Sequence, residues 1–366
     1  MGKGGGGGGG RGGKEGGEAP LIPTNATYRA YSMAPLYGLR ASGTAFGEYA
    51  SSLVEFLRSS ENRVSGTAPY RVFHVVFKSA TRGADDVVVI TVHYRRRFEG
   101  SGKGGKERRK GGKKGGKGGE VLEEARGRLV VVLSAVRDSS GRKSSVAERE
   151  FTCLPLLLTK GPFSMARSVI EWLETSFDTS VVPLALASFQ LSGLLSAWVR
   201  HIVLTDPAES APKTRGRAAK SQGSSKRPLE LVFDFPPELA GLESLSYTVD
   251  YDSLMSLFRA SRSALIQAKL DADVPVDRDP VTGDALLDHE EQAALAGTIV
   301  DALFIQFESV FGISLSRVSL TQISSPLAMI AQGKLKLVNP HPDNVRFVID
   351  SLHPVLFPEH AAAQQQ

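Results

Sequence analysis

Blocks of alternating and helically spaced apolar positions divide this chain into predicted elements. After an extended stretch over 28–39, residues 44–59 carry Tyr49, Leu53, Phe56 and Leu57 on one helical face. Segments 70–78, 87–98 and 129–137 are rich in β-branched and aromatic residues and predict strands. A Gly/Lys tract separates the second from the third and reads as an expanded hairpin loop, because closure entropy grows only logarithmically with loop length. Residues 149–158 predict a further strand. Pro162 then opens a helix whose buried face is Ala166, Val169, Ile170 and Leu173. Phe177-Asp178-Thr179 ends that helix and leads through 181–187 into a second one over 191–203.

Beyond a Ser/Ala/Lys linker the pattern restarts. Leu229, Leu231, Phe233 and Phe235 alternate, as do Leu245, Tyr247 and Val249, predicting two strands joined around Pro236-Pro237. Asp250 or Asp252 caps a helix bearing Leu254, Leu257, Phe258 and Leu265. A long helix over 285–311 follows, with a stripe of Ile299, Leu303, Phe307 and Val310, and then three strand-like segments: 313–323, 334–338 and 345–350. Strands in groups with helices between, without regular βαβ alternation, predict an α+β fold of mostly antiparallel, curved sheets with packed helices in two α/β halves. The expected organisation is a disordered Gly-rich tail (1–26), an N-terminal half (27–204) with a disordered basic insertion (99–119), and a basic linker (205–227). A C-terminal half for partner binding or dimerisation (228–358) follows, interrupted by an acidic linker (271–284), and a short disordered tail (359–366) ends the chain.

Charge changes the picture more than composition does. The formal net charge of the 366 residues is +5. Residues 95–117 alone hold +9, from Arg95, Arg96, Arg97, Lys103, Lys106, Arg108, Arg109, Lys110, Lys113, Lys114 and Lys117 against two glutamates. Residues 213–227 hold +6, including Lys213, Arg215, Arg217 and Lys220, which leaves −10 for the remainder. A mildly acidic body with two cationic, Gly/Ser-rich excursions suits a polyanionic partner, the alternative being that the excursions are solvated loops. The 99–119 tract has no aromatic residue, so its expected contribution is phosphate charge rather than stacking on bases.

Little in the sequence suggests catalysis. The Gly4–Gly10 run meets the dinucleotide fingerprint only by being all glycine, and residues 100–106 mimic a phosphate loop but place Glu107 where Ser or Thr would hold magnesium. The seven histidines are dispersed without metal-ligand spacing, although His74 and His93 are placed to face one another on adjacent strands. Cys153, the only cysteine, sits in an apolar run and reads as a small hydrophobe in a reducing compartment. The acids of 271–284 lack a calcium-loop pattern. No metal, cofactor or small-molecule substrate is expected. Residues 1–19 have no apolar core of a signal peptide, and the best membrane candidate, 181–204, is interrupted by polar residues at helical spacing, so no membrane partner is expected.

Several blocks together carry a family resemblance. Leu156-Leu157-Leu158-Thr159-Lys160-Gly161-Pro162, Trp172-Leu173 and Phe177-Asp178-Thr179-Ser180-Val181-Val182-Pro183-Leu184 resemble the central signature of the centromere protein L family in its fungal form. Pro35-Leu36-Tyr37 resembles that family's N-terminal block, and Gly333-Lys334-Leu335-Lys336-Leu337 its C-terminal basic-apolar strand. Three positions depart from the pattern: Ser32 stands where Arg is usual, Ala34 where Ser is, and Lys160-Gly161 where Arg followed by a larger residue is. The resemblance implies a non-enzymatic, nuclear inner-kinetochore subunit that pairs with a centromere protein N relative, engages centromeric nucleosomes and DNA, and self-associates in some members. The expected pairing surface is an exposed edge strand in the C-terminal half, with Ile313, Leu315, Arg317, Lys334, Leu335, Lys336 and Leu337 as its residues. The alternative is a general RNA- or nucleic-acid-binding protein, for example one of ribosome assembly.

Overall fold

A computed structural model describes residues 22–40, 43–63, 70–82, 85–97, 124–134, 151–205, 227–238, 241–278, 287–339, 341–352 and 356. Its centre is one antiparallel sheet of eleven strands, and the strand β1 (Ala26–Met33) lies at the middle of it. On one side of β1 come β7 (Leu156–Lys160), β5 (Glu124–Ser134), β4 (Asp85–Arg97) and the edge strand β3 (Tyr70–Arg82). On the other side come β13 (Lys334–Leu337), β12 (Ala328–Ala331), β11 (Ser319–Ser324), β9 (Leu229–Asp234) and the second edge, β10 (Ser244–Val249). The short β8 (Val181–Pro183) pairs with the end of β1, and β2 (Leu36–Tyr37) with β6 (Phe151–Thr152) forms a separate two-stranded ribbon. The two halves expected from the sequence are therefore joined by a continuous sheet, with β1 of the first half hydrogen-bonded to β13 of the second. Strands β4 and β5 pair from Val87↔Ser134 to Arg97↔Glu124, so the basic insertion does link the arms of a hairpin. The insertion itself, including Lys103, Lys106, Arg108, Arg109, Lys110, Lys113, Lys114 and Lys117, lies outside the described residues, as do Lys213, Arg215, Arg217 and Lys220.

Side chains alternate across the pleat and feed two cores on opposite faces. On one face Tyr31, Leu157, Val131 and Ile90 pack under α1 (Gly43–Arg63) and α2 (Phe163–Phe177). On the other, Tyr28, Ala30, Leu158 and Val132 join the alternating Leu229, Leu231 and Phe233 of β9. Helices α3 (Ser188–Leu204), α4 (Tyr251–Asp271), α5 (His289–Phe311) and α6 (Pro342–Asp350) cover that second face. Both buried indoles find polar partners, as large buried polar-tipped rings require. The Trp172 N–H donates to Ser52 Oγ at 3.2 Å and that of Trp198 to Ser351 Oγ at 2.9 Å. Helix α5 begins at His289 rather than 285, because Asp288 accepts the Glu291 N–H at 2.8 Å while Glu291 accepts the Asp288 N–H at 3.1 Å, a reciprocal cap. Among the described residues α5, not 181–204, is long and apolar enough to cross a membrane, yet its stripe from Leu295 to Phe307 is buried against this fold.

Several expectations are corrected. The strand predicted over 149–158 is broken at buried Pro155 into β6 and β7, since proline cannot donate to a ladder. Residues 345–350 form α6 and not a strand: Pro342 stands at its start, and Val345, Val348 and Ile349 recur at helical spacing against the core, overriding their β-branched preference. Within 313–323, Leu315–Arg317 is a 3₁₀ turn, fixed by Glu308 accepting the Leu315 N–H at 2.7 Å, and only then does β11 begin. Strand β12 was not anticipated; it is joined to β13 by Gln332-Gly333, both at positive φ (43° and 71°), the two-residue turn that matches strand twist. Val310 lies off the buried stripe at 63% exposure, and Cys153 is exposed rather than packed.

Candidate interaction surfaces

The blocks that carried the family resemblance converge on β1. Arg29 pairs with Lys334 of β13 and with Thr159 of β7, and Tyr31 pairs with Leu157 and with Pro183 of β8. Asp178, at φ 45°, terminates α2 in the left-handed conformation and turns the chain into β8. Gly161, the departure from the family pattern, sits at φ 152°, where an added Cβ would lie 2.8 Å from Leu129 Cδ1 and 3.0 Å from its Cα. Only glycine fits that approach without displacement.

The pairing overturns the edge-strand assignment. Strand β11 is flanked by β9 and β12, and β13 by β12 and β1, so neither offers free backbone groups to a partner. Leu335 and Leu337 are fully buried, and Ile313 and Leu315 pack against the core, while Arg317 is exposed. Lys334 and Lys336 lie on a sheet face instead. Directly opposite pairs share a face, so Lys334 lies beside Arg29 and Ala331, and Lys336 beside Thr27 and Met329. Helices α1 and α2 cover this face on the N-terminal side only. On the C-terminal side no described helix covers it, and across β11, β9 and β10 it carries Gln322, Val232 and Ser246 together with the acids Glu230 and Asp234, the latter lining one depression with Lys334 and Lys336. Arg29, Lys334 and Arg167 of α2 rim an open depression of about 600 Å³, with Glu171 and Glu174 also on its wall. Glu174 is engaged in accepting the Val181 N–H at 3.0 Å. The Arg29 guanidinium stands 4.9 Å over the Phe163 ring, and none of Arg29, Arg167, Lys334 and Lys336 forms an ion pair among the described residues. Beside Arg29 on the same face, Thr159 Oγ1 is buried without a hydrogen-bond partner among the described residues.

The edge of the C-terminal half is β10, which among the described residues pairs only with β9. Exposed apolar side chains include Leu242, just before the strand, and Val310 and Phe311 at the end of α5, with the Phe311 ring 6.2 Å from Tyr247 of β10. No sequence signal set these apart, because the exposed edge is defined by the pairing alone.

Arg95, Arg96 and Arg97 fall on successive positions of β4, and Arg95 and Arg96 therefore lie on opposite faces. Arg95 lies opposite Arg71 and Arg126, on the face away from α1, while Arg96 is 5.9 Å over the Tyr70 ring on the other. His74 and His93 do face each other, their rings 5.8 Å apart. Burial, with the neighbouring His74 and Arg128, holds His93 below the usual imidazole range. Among the described residues no group of three or more His, Cys, Asp or Glu is arranged to hold a metal.

These features define an α+β protein whose polar display is spread over the open face and edge of a long antiparallel sheet. The sequence profile of the family described as Centromere protein L matches residues 24–357, nearly the whole chain, and the protein belongs to that family. It is similar to centromere protein L of Mus musculus, with 34% identity over 68 residues, 17% of this chain and 21% of the mouse protein. The chain thus aligns with about a fifth of that relative's length. Membership makes it a nuclear centromere and kinetochore protein of a structural family.

Proposed function

We propose that the chain is a non-enzymatic scaffold subunit of the inner kinetochore that pairs with a centromere protein N-like partner and helps to hold centromeric chromatin for chromosome segregation. The observation that carries this reading is the β10 edge, unpaired on its outer side among the described residues, together with exposed Leu242 just before it and exposed Val310 and Phe311 at the end of α5. An edge of this kind is extended by a partner strand, with flanking apolar side chains supplying burial, and is otherwise a liability for aggregation. It takes over the role first given to β11 and β13.

The nucleic acid in this reading meets the Arg29, Lys334 and Lys336 row, with phosphates neutralised by free cations. The cationic stretch between β4 and β5, from Lys103 to Lys117, and Lys213, Arg215, Arg217 and Lys220 add further phosphate contacts. Affinity purification of the tagged full chain with mass spectrometry tests the pairing. Recovery of a centromere protein N relative, lost in Val310→Asp/Leu242→Asp while the protein stays soluble and folded, supports it. Recovery that ignores this double substitution moves the interface elsewhere, and recovery of ribosome-assembly factors in its place favours the general nucleic-acid reading.

A further inference from the structure

The outer end of the β3–β4–β5 face, opposite α1 and α2, carries a second surface. Near the sheet centre this face is buried at Val89, Val130 and Val132, in one core with α3. Outward along the same strands no described helix covers the face. Arg71, Arg95 and Arg126 lie abreast on three adjacent strands, spanning about 10 Å at the usual strand spacing. Arg128 lies opposite His93 on the same face, one pair inward. The pairing of β3 with β4 shifts register between Val72 and His74, leaving Phe73 as the extra residue of a bulge. Its ring is 47% exposed, 6.0 Å from the His93 ring and 5.8 Å from the Arg95 guanidinium carbon, so the bulge delivers a large aromatic onto the arginine-bearing face.

Phe73 keeps 47% of its surface exposed beside His93 and Arg95, and the like charges of Arg71 and Arg126 on the flanking strands favour an anionic ligand. Strands β3, β4 and β5 together contain eight Lys or Arg against three acids, Asp85, Asp86 and Glu124. Arg71, Arg126 and Arg128 form no ion pair among the described residues. The ligand that complements this surface is polyanionic and offers free π-faces. A double helix offers only the first, since its bases are already stacked, whereas an unpaired strand offers both.

We propose that this end of the sheet binds single-stranded nucleic acid, an unpaired base stacking on Phe73 beside His93 while Arg71, Arg126 and Arg128 hold the flanking phosphates. The site rests on the sheet register and not on the kinetochore assignment, and it lies on the opposite face of the sheet from the Arg29, Lys334 and Lys336 row.

Fluorescence anisotropy of the full chain with a labelled short oligothymidylate, and with a labelled duplex of the same length, tests it. Phe73→Leu keeps an apolar side chain at an exposed position and should weaken oligothymidylate binding on the order of ten-fold while leaving the duplex unaffected. Phe73→Trp should restore or strengthen it. Arg126→Gln/Arg128→Gln, both at exposed positions, should lower the slope of log affinity against log salt by about 1.4 for the single strand. Equal losses for both probes on Phe73→Leu, or none for either, would overturn the stacking site, and an unchanged salt slope in the arginine variant would overturn its phosphate contacts.

Discussion

Replacing the open-face cations is the perturbation with the most defined expected size. In Arg29→Gln/Lys334→Gln/Lys336→Gln, three cations without ion-pair partners are neutralised on one sheet face while the strand pairing that carries them is kept. Each phosphate contact on duplex DNA contributes about 0.9 to the slope of log affinity against log salt, so the variant's slope should be shallower by about 2.7. Between 50 and 200 mM salt this makes the ratio of native to variant affinity shrink about 40-fold. The cationic stretch between β4 and β5 is present in both proteins and cancels in the comparison. Arg29 also stands over Phe163, so Lys334→Gln/Lys336→Gln serves as the gentler form, with an expected slope change of about 1.8. Anisotropy titrations of a labelled duplex over a salt series give the slopes directly. Parallel lines for native and variant protein would refute the assignment of DNA to this face, whatever the absolute affinities.

Three further outcomes follow from the packing. Gly161→Ala forces a Cβ against Leu129 at a backbone angle that side chains rarely adopt, and should cost about 1–3 kcal/mol in denaturant unfolding. Thr159→Val removes a buried hydroxyl that has no partner while keeping its shape, and should raise stability by about 1 kcal/mol by the same measurement. The depressed His93 pKa means that the unfolded chain takes up a proton that the fold resists, so this residue's contribution is full above the ordinary imidazole value of 6.5 and should be lost as pH falls from there through the lowered folded value. His93→Asn should flatten that part of the stability-against-pH curve, and an unchanged curve would contradict the folded-state shift.

How much was legible in the sequence depended on how local each signal was. The helix at 163–177 was readable because Pro162 fixes its start, Ala166, Val169 and Leu173 fix its face, and Asp178 ends it in a turn. The alternation of Leu229, Leu231 and Phe233 likewise marked one buried face of β9. At 345–350 a β-branched run misled, because three core contacts at helical spacing outweighed residue preference. The surfaces were the least visible part. Arg29 and Lys334 are some three hundred residues apart in the chain and become neighbours only through the register of β1 and β13. Lys334 and Leu335 looked like one edge, but the pleat sends the lysine to the open face and the leucine into the core. Phe73 gave no sign of exposure, since a bulge cannot be read from an apolar run.

Imaging the fluorescently tagged full chain in dividing cells, alongside the centromeric histone H3 variant, tests the central claim most directly. A kinetochore scaffold predicts discrete foci coincident with that histone, and dispersal of those foci in Val310→Asp/Leu242→Asp. Diffuse nuclear or nucleolar signal from the native chain would contradict it.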